Sequence, residues 1–159
     1  GGARAGKDGL DGVHVHMTNT SNLPAEALEL EYPLTLLRYE LVDGSGGPGA
    51  QRGGMGLRRV YRAEADCRVH IDGSRLRSAP WGLEGGLEGG RGGFVFGPGV
   101  APFDHGNGDL KRGDVIEIVT PGAGGYGPPA GRAADAVQRD LAEGRIDRET
   151  AQRVYGAVL

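Results

Sequence analysis

Tyr61-Arg62-Ala63-Glu64-Ala65-Asp66-Cys67-Arg68-Val69-His70-Ile71-Asp72 decides how the chain is read. Tyr61, Ala63, Ala65, Cys67, Val69 and Ile71 alternate with charged or imidazole side chains, the period of a strand with one core face and one solvated face. The run is longer than a usual strand, so a break near Ala65-Asp66 is expected, and Asp72-Gly73 supplies a hairpin-type turn after it. Working outward, Gly93-Phe94-Val95-Phe96-Gly97-Pro98 and Asp114-Val115-Ile116-Glu117-Ile118-Val119-Thr120 read as two further strands, the second entered through Leu110-Lys111-Arg112-Gly113. Leu28 to Val42 reads as two extended runs hinged at Pro33 and closed by Asp43-Gly44-Ser45-Gly46-Gly47-Pro48-Gly49.

The C-terminus changes character. Ala133, Val137 and Leu141 share a helical face, Gly144 stops that helix, and Asp147 caps another on which Ala151, Val154 and Tyr155 line up, with an Ile146–Ala151 staple across the cap. The expected fold class is α+β: a β-rich body of mainly antiparallel strands with long Gly-rich loops and a C-terminal helical hairpin. We expect one domain over 1–159, divided into a loop (1–12), the β-rich body (13–120), a Gly/Pro loop (121–132) and the helical hairpin (133–159). The chain opens on a glycine-rich stretch without an initiator Met, which is the expectation for a piece of a longer protein.

Of 159 residues, 32 are glycine without a collagen-like repeat, which calls for many turns and close backbone approaches, while 38% apolar residues with readable periodicity argue against disorder. A net charge of -3 offers no electrostatic footprint for nucleic acid or an anionic membrane, and a single cysteine allows no internal disulfide. A cytoplasmic, reducing compartment is expected, with no membrane association.

Polar chemistry is densest from Gly12 to Leu34. Val13, Val15 and Met17 alternate with His14, His16 and Thr18, the pattern of a strand whose polar face lines a site, and Asn22 before Pro24 suits a short helical turn, Pro24 to Leu28, with Glu26 and Glu29 on one face. His14 and His16 are either two ligands of a metal site or ordinary hydrogen-bonded histidines, and Glu26 and Glu29 either do acid–base work or form a solvated helix face. Gly122-Ala123-Gly124-Gly125-Tyr126-Gly127 matches G-x-G-x-x-G, but Pro128-Pro129 separates it from the next helix and no strand follows, so close backbone packing is the reading rather than phosphate capture. Cys67 reads as an inert thiol on the apolar face. Arg52 beside Gly53-Gly54 either holds a carboxylate or phosphate or is an exposed loop arginine, and Trp81 either caps a core or lines a pocket.

His16-Met17-Thr18-Asn19-Thr20-x-Asn22-x-Pro24-x-Glu26-x-x-Glu29, Tyr32-Pro33-Leu34, Arg52-Gly53-Gly54-x-Gly56-Leu57, Pro80-x-Gly82-Leu83-x-Gly85-Gly86, Thr120-Pro121-Gly122-x-Gly124-Gly125-Tyr126-Gly127 and Tyr155-Gly156, in this order, resemble the hydantoinase B/oxoprolinase family. The likeness is to the C-terminal portion of an N-methylhydantoinase B-type subunit; Ala123 stands where the family usually has glycine. The resemblance implies an ATP-dependent cyclic-amide hydrolase of hydantoinase or 5-oxoprolinase type. In it, an A-type ATPase subunit spends ATP to activate a small-molecule substrate, and the B-type subunit completes ring opening. A carboxylase B-type subunit of the same family is the runner-up reading, and a non-catalytic scaffold and interface module is the contrasting one. The resemblance implies His16, Asn19, Asn22 and Glu26 as residues bordering the cavity of the B-type subunit. A divalent metal would be bound mainly by the remaining N-terminal part of that subunit, with His14 and His16 as the local candidates.

Overall fold

The computed structural model describes residues 1–15 and 20–157. The long alternating run is two strands, β2 (Leu57–Ala63) and β3 (Cys67–Asp72), and the expected break separates them into different sheets. β1 (Leu34–Leu41), β2, β6 (Val115–Val119) and β4 (Gly93–Phe96) form a four-stranded antiparallel sheet in the order β1-β2-β6-β4, while β3 pairs antiparallel with β5 (His105–Leu110). Switching sheets at 64–66 lets one alternating pattern feed a shared core from both sides: Ala63 and Ile116 from the large sheet meet Ile71 and Leu110 from the small one, with Phe94, Phe96 and Phe103 packed around them. Register follows the pattern, with Leu34 opposite Ala63, Tyr61 opposite Ile116 and Phe94 opposite Ile118.

Three local readings are corrected. Leu28 to Glu31 belongs to helix α1 (Ala25–Glu31), longer than the expected turn, and only Leu34–Leu41 of the Leu28–Val42 run is a strand. Asp72-Gly73 makes no hairpin to the next strand, because the partner of β3 is β5. Val13 to Val15 form no strand, and both valines are exposed.

The glycines concentrate where three loops stack backbone on backbone. A Cβ on Gly122 would sit 1.7 Å from the Ser45 carbonyl oxygen, and one on Gly53 would sit 2.0 Å from that of Ala123. Hydrogen bonds from Gly47 N to Ala123 O (2.8 Å) and from Gly125 N to Leu87 O (3.0 Å) stitch the same loops together. The G-x-G-x-x-G stretch is thus a packing element, as its sequence suggests, and the long Glu84–Gly93 connection is one of its partners.

At the C-terminus α2 (Ala134–Ala142) ends in left-handed Gly144 (φ 72), and α3 (Arg148–Arg153) is capped by Asp147, whose carboxylate accepts from Thr150 N at 2.7 Å. Val137, Ile146 and Ala151 form the buried contact of this hairpin; Ala133 is exposed, and the polar Asp140 takes the inward place beside Val137. Among the described residues, no helix is long and apolar enough to cross a membrane.

Candidate functional site

The small sheet covers only part of the inner face of the large one. Where it stops, a cavity of about 540 Å³ lies between them, walled by Leu57, Phe94 and Ile118 on one side and by His70, Ile71 and Asp72 of β3 on the other. The segments Val13–Val15, Gly54–Gly56 and Gly73–Ser74 close its sides. Apolar walls with a few polar groups are what a small-molecule site requires. Thr120 also lines it, but its hydroxyl already accepts the Leu57 N–H at 2.7 Å and so serves the scaffold.

The polar side of the cavity comes from the solvated face of the β3 alternation. His70 Nδ1 lies within hydrogen-bond distance of the Asn107 amide oxygen, at 2.9 Å, which fixes the orientation of the ring. His105 stands edge-on to His70 at 6.5 Å between ring centroids, with its Nδ1 3.4 Å from the Asp72 carboxylate.

Of the residues expected at the site, His14 lines this cavity. His16 and Asn19 lie outside the described residues. Asn22 is exposed and donates from Nδ2 to the Tyr39 hydroxyl at 3.3 Å. Glu26 is exposed in the first turn of α1 and is not among the lining residues, while Glu29 accepts the Leu36 N–H at 2.8 Å, a structural duty. Among the described residues no three His, Cys, Asp or Glu side chains are grouped to hold a metal, so His14 has no described co-ligands. His70, Asp72 and Ser74 are not singled out by the sequence; the polar half of the β3 alternation is the signal that could have found the first two.

A buried ionic network adjoins the cavity through Met55, whose N–H is accepted by the Asp11 carboxylate at 2.8 Å. Arg52 is fully buried, donating from Nη1 to Asp11 at 3.0 Å and lying 3.7 Å from Asp140, so it is not the exposed loop arginine of one reading, and the carboxylates it holds are the chain's own. Arg132 grips both oxygens of Asp8 at 2.8 Å and bonds Asp140 at 2.6 Å, and Arg145 reaches Asp11. Burial opposes the charged form of Asp8, yet the Arg132 guanidinium and the Arg52 N–H hold its carboxyl below the usual range; Asp11 is held down in the same way, against burial, by Arg52 and the Met55 N–H. Burial pushes the half-buried Cys67 thiol up, which keeps it protonated and unreactive. Trp81 is exposed beneath the Arg75 guanidinium, 4.6 Å from the ring centre, and neither caps the core nor lines the cavity.

Residues 1–129 match the family described as hydantoinase B/oxoprolinase. The chain belongs to the hydantoinase B/oxoprolinase family. It is 36% identical over 168 residues to the B-type polypeptide of a putative D-/L-hydantoinase from a Pseudomonas species (strain NS671), a match covering 99% of this chain and 28% of that relative. Among solved structures it is similar to the ATP-dependent caprolactamase of Pseudomonas jessenii (TM-score 0.68, 29% identity, 86% of this chain and 25% of that one). It also shares its fold with an acetone carboxylase (TM-score 0.78, 24% identity, 99% of this chain and 26% of that one). As a member of the hydantoinase B/oxoprolinase family, the chain therefore spans about a quarter of the length of these relatives.

Proposed function

We propose that this chain is the C-terminal portion of a B-type subunit in an ATP-dependent cyclic-amide hydrolase of hydantoinase or 5-oxoprolinase type. It acts with an A-type ATPase subunit and the remaining N-terminal part of the B-type subunit. The observation that carries this reading is the family match over residues 1–129, joined by likeness to a B-type hydantoinase polypeptide and an ATP-dependent caprolactamase over most of the chain. The likeness to acetone carboxylase is one of fold and gives carboxylation no separate support.

In the proposed reaction the ATPase subunit phosphorylates the amide oxygen of the ring. Water then adds to that carbon, the ring C–N bond breaks as the nitrogen takes a proton, and hydrolysis of the resulting acyl phosphate leaves a carboxylate and inorganic phosphate. His16 or Glu26 would orient or deprotonate the attacking water, Asn19 would hydrogen-bond the tetrahedral intermediate, and Asn22 and His14 would border the substrate. The described residues do not fit a divalent metal, so any such ion would be held mainly by residues outside this chain, and no step here uses one.

In an assembly containing this chain, the ATPase subunit and the rest of the B-type subunit, His16→Ala should lower turnover of hydantoin or 5-oxoproline by about 100-fold, the usual worth of a general base, with assembly intact. A loss of assembly with turnover per assembled complex unchanged would defeat that role.

A further inference from the structure

We infer that Arg59, with the Tyr39 hydroxyl, forms an oxyanion-binding subsite beside the cavity. Arg59 stands opposite Ile118 on one side and Tyr39 on the other, and cross-strand partners share a face. It therefore projects on the inner face of the large sheet, one strand away from the Ile118 that walls the cavity. Its neighbour Arg58 points to the opposite face, where Glu117 at 2.8 Å and Glu40 at 3.0 Å neutralise it. Arg59 has no such partner: no ion pair among the described residues includes it, and its Nε is buried without a hydrogen-bond acceptor. Its guanidinium lies over the Tyr39 ring, 4.8 Å from the centre, and Nη2 donates to the Tyr39 hydroxyl at 3.2 Å.

That hydroxyl is the second half of the subsite. It accepts from Arg59 at 3.2 Å and from Asn22 Nδ2 at 3.3 Å, which occupies both oxygen lone pairs and leaves its own proton to donate. Tyr39 is half exposed, so the proton is within reach of a ligand. A guanidinium without a carboxylate, next to a phenol that can only donate, offers hydrogens and positive charge and no acceptor; the group it suits is an oxyanion with two or more oxygens. The choice of ligand rests on the cyclic-amide reading: both end products of that chemistry, a carboxylate and inorganic phosphate, are such oxyanions, and the subsite would hold one of them as it forms.

The test uses the purified chain, labelled with ¹⁵N on arginine. Inorganic phosphate and N-carbamoylglycine, a ring-opened hydantoin, are titrated separately at constant ionic strength while the Nε–Hε resonances are followed, that of Arg59 being assigned by its absence in Arg59→Lys. We expect a saturable shift of the Arg59 resonance with at least one probe, and the tighter probe identifies the source of the oxyanion. Tyr39→Phe, which keeps the ring and loses only the hydroxyl, should weaken binding by about tenfold, the worth of a charge-assisted contact. Arg59→Lys, which keeps charge without the fork and lacks that resonance, is titrated by isothermal calorimetry beside the unsubstituted chain and should bind at least as weakly as Tyr39→Phe. No saturable shift with either probe, or affinities unchanged in both variants, overturns the subsite. Because this readout needs no turnover, an inactive assembly whose chain still binds would count against the cyclic-amide reading alone, and an active assembly whose chain does not bind would count against the subsite alone.

Discussion

At the scale of single residues, two ion pairs with similar distances should behave in opposite ways. Arg132 and Asp140 meet at 2.6 Å with side chains 2% and 4% exposed, whereas Arg68 and Asp109 meet at 2.8 Å with side chains 70% and 63% exposed. Truncating Arg132 removes the hydrogen-bonded partner of buried Asp140 and leaves it only Arg52 at 3.7 Å, so Arg132→Met should cost about 3–5 kcal/mol of unfolding free energy in urea titration. Arg68→Ala should leave the transition where it was, because water screens that pair already. The same network sets the acid limit of the fold. Asp8 and Asp11 titrate below the usual aspartate range in the folded chain, so the folded state binds fewer protons than the unfolded one. Their contribution is full above the ordinary aspartate value and disappears as pH falls through their depressed ones. Circular dichroism against pH should show the acid midpoint of Arg132→Met moved to higher pH. This network could not be read in the sequence, since Arg52 and Asp140 are distant along the chain from each other and from Asp8 and Asp11, and a lone arginine beside glycines looks like an ordinary loop residue.

At the scale of elements, what was legible followed from how directly apolar spacing reports burial. β3, β4, β6 and the end of β2 from Tyr61 on carry readable apolar patterns and were located, whereas Leu57–Val60 of β2 was not, since Arg59 takes an inner position there; the break near Ala65-Asp66 and the Asp147 cap were located by length and capping chemistry. β5, His-Gly-Asn-Gly-Asp-Leu, has no such signal: a Cβ on Gly108 would meet the Phe103 ring at 2.1 Å, so the glycine that hides the strand is required by the packing above it. α1 misled in the other direction, because the Leu28-Glu29-Leu30 alternation resembles a strand although Leu30 is almost wholly exposed and the Ala- and Glu-rich composition favours a helix. The stacked glycine loops give a prediction of their own kind. Gly122→Ala places a methyl group onto the Ser45 carbonyl and should destabilise the chain by at least about 1–3 kcal/mol, whereas Gly93→Ala, which meets nothing within 4 Å, should be neutral in thermal unfolding. Equal effects would mean that the loops are not packed as described.

At the scale of the whole molecule, the buried network joins the N-terminal loop, the glycine loops and the helical hairpin into one framework, and the cavity is lined by residues of both sheets. Family membership was legible because ordered motifs such as Arg52-Gly53-Gly54 and Thr120-Pro121-Gly122 serve this framework. The site was legible only in part: His14 was found at the cavity, whereas His70 and Asp72 stand on the polar half of a readable alternation whose spacing does not say that this face borders a cavity. In its proposed role this chain works in ATP-dependent opening of a cyclic amide. The most direct measurement follows ADP, inorganic phosphate and ring-opened carboxylate together in an assembly of this chain with the A-type ATPase and the rest of the B-type subunit, supplied with hydantoin or 5-oxoproline. Carboxylate should form only when ATP is consumed and should be lost when this chain is omitted. A correctly assembled complex that hydrolyses ATP and leaves both rings closed would contradict that role.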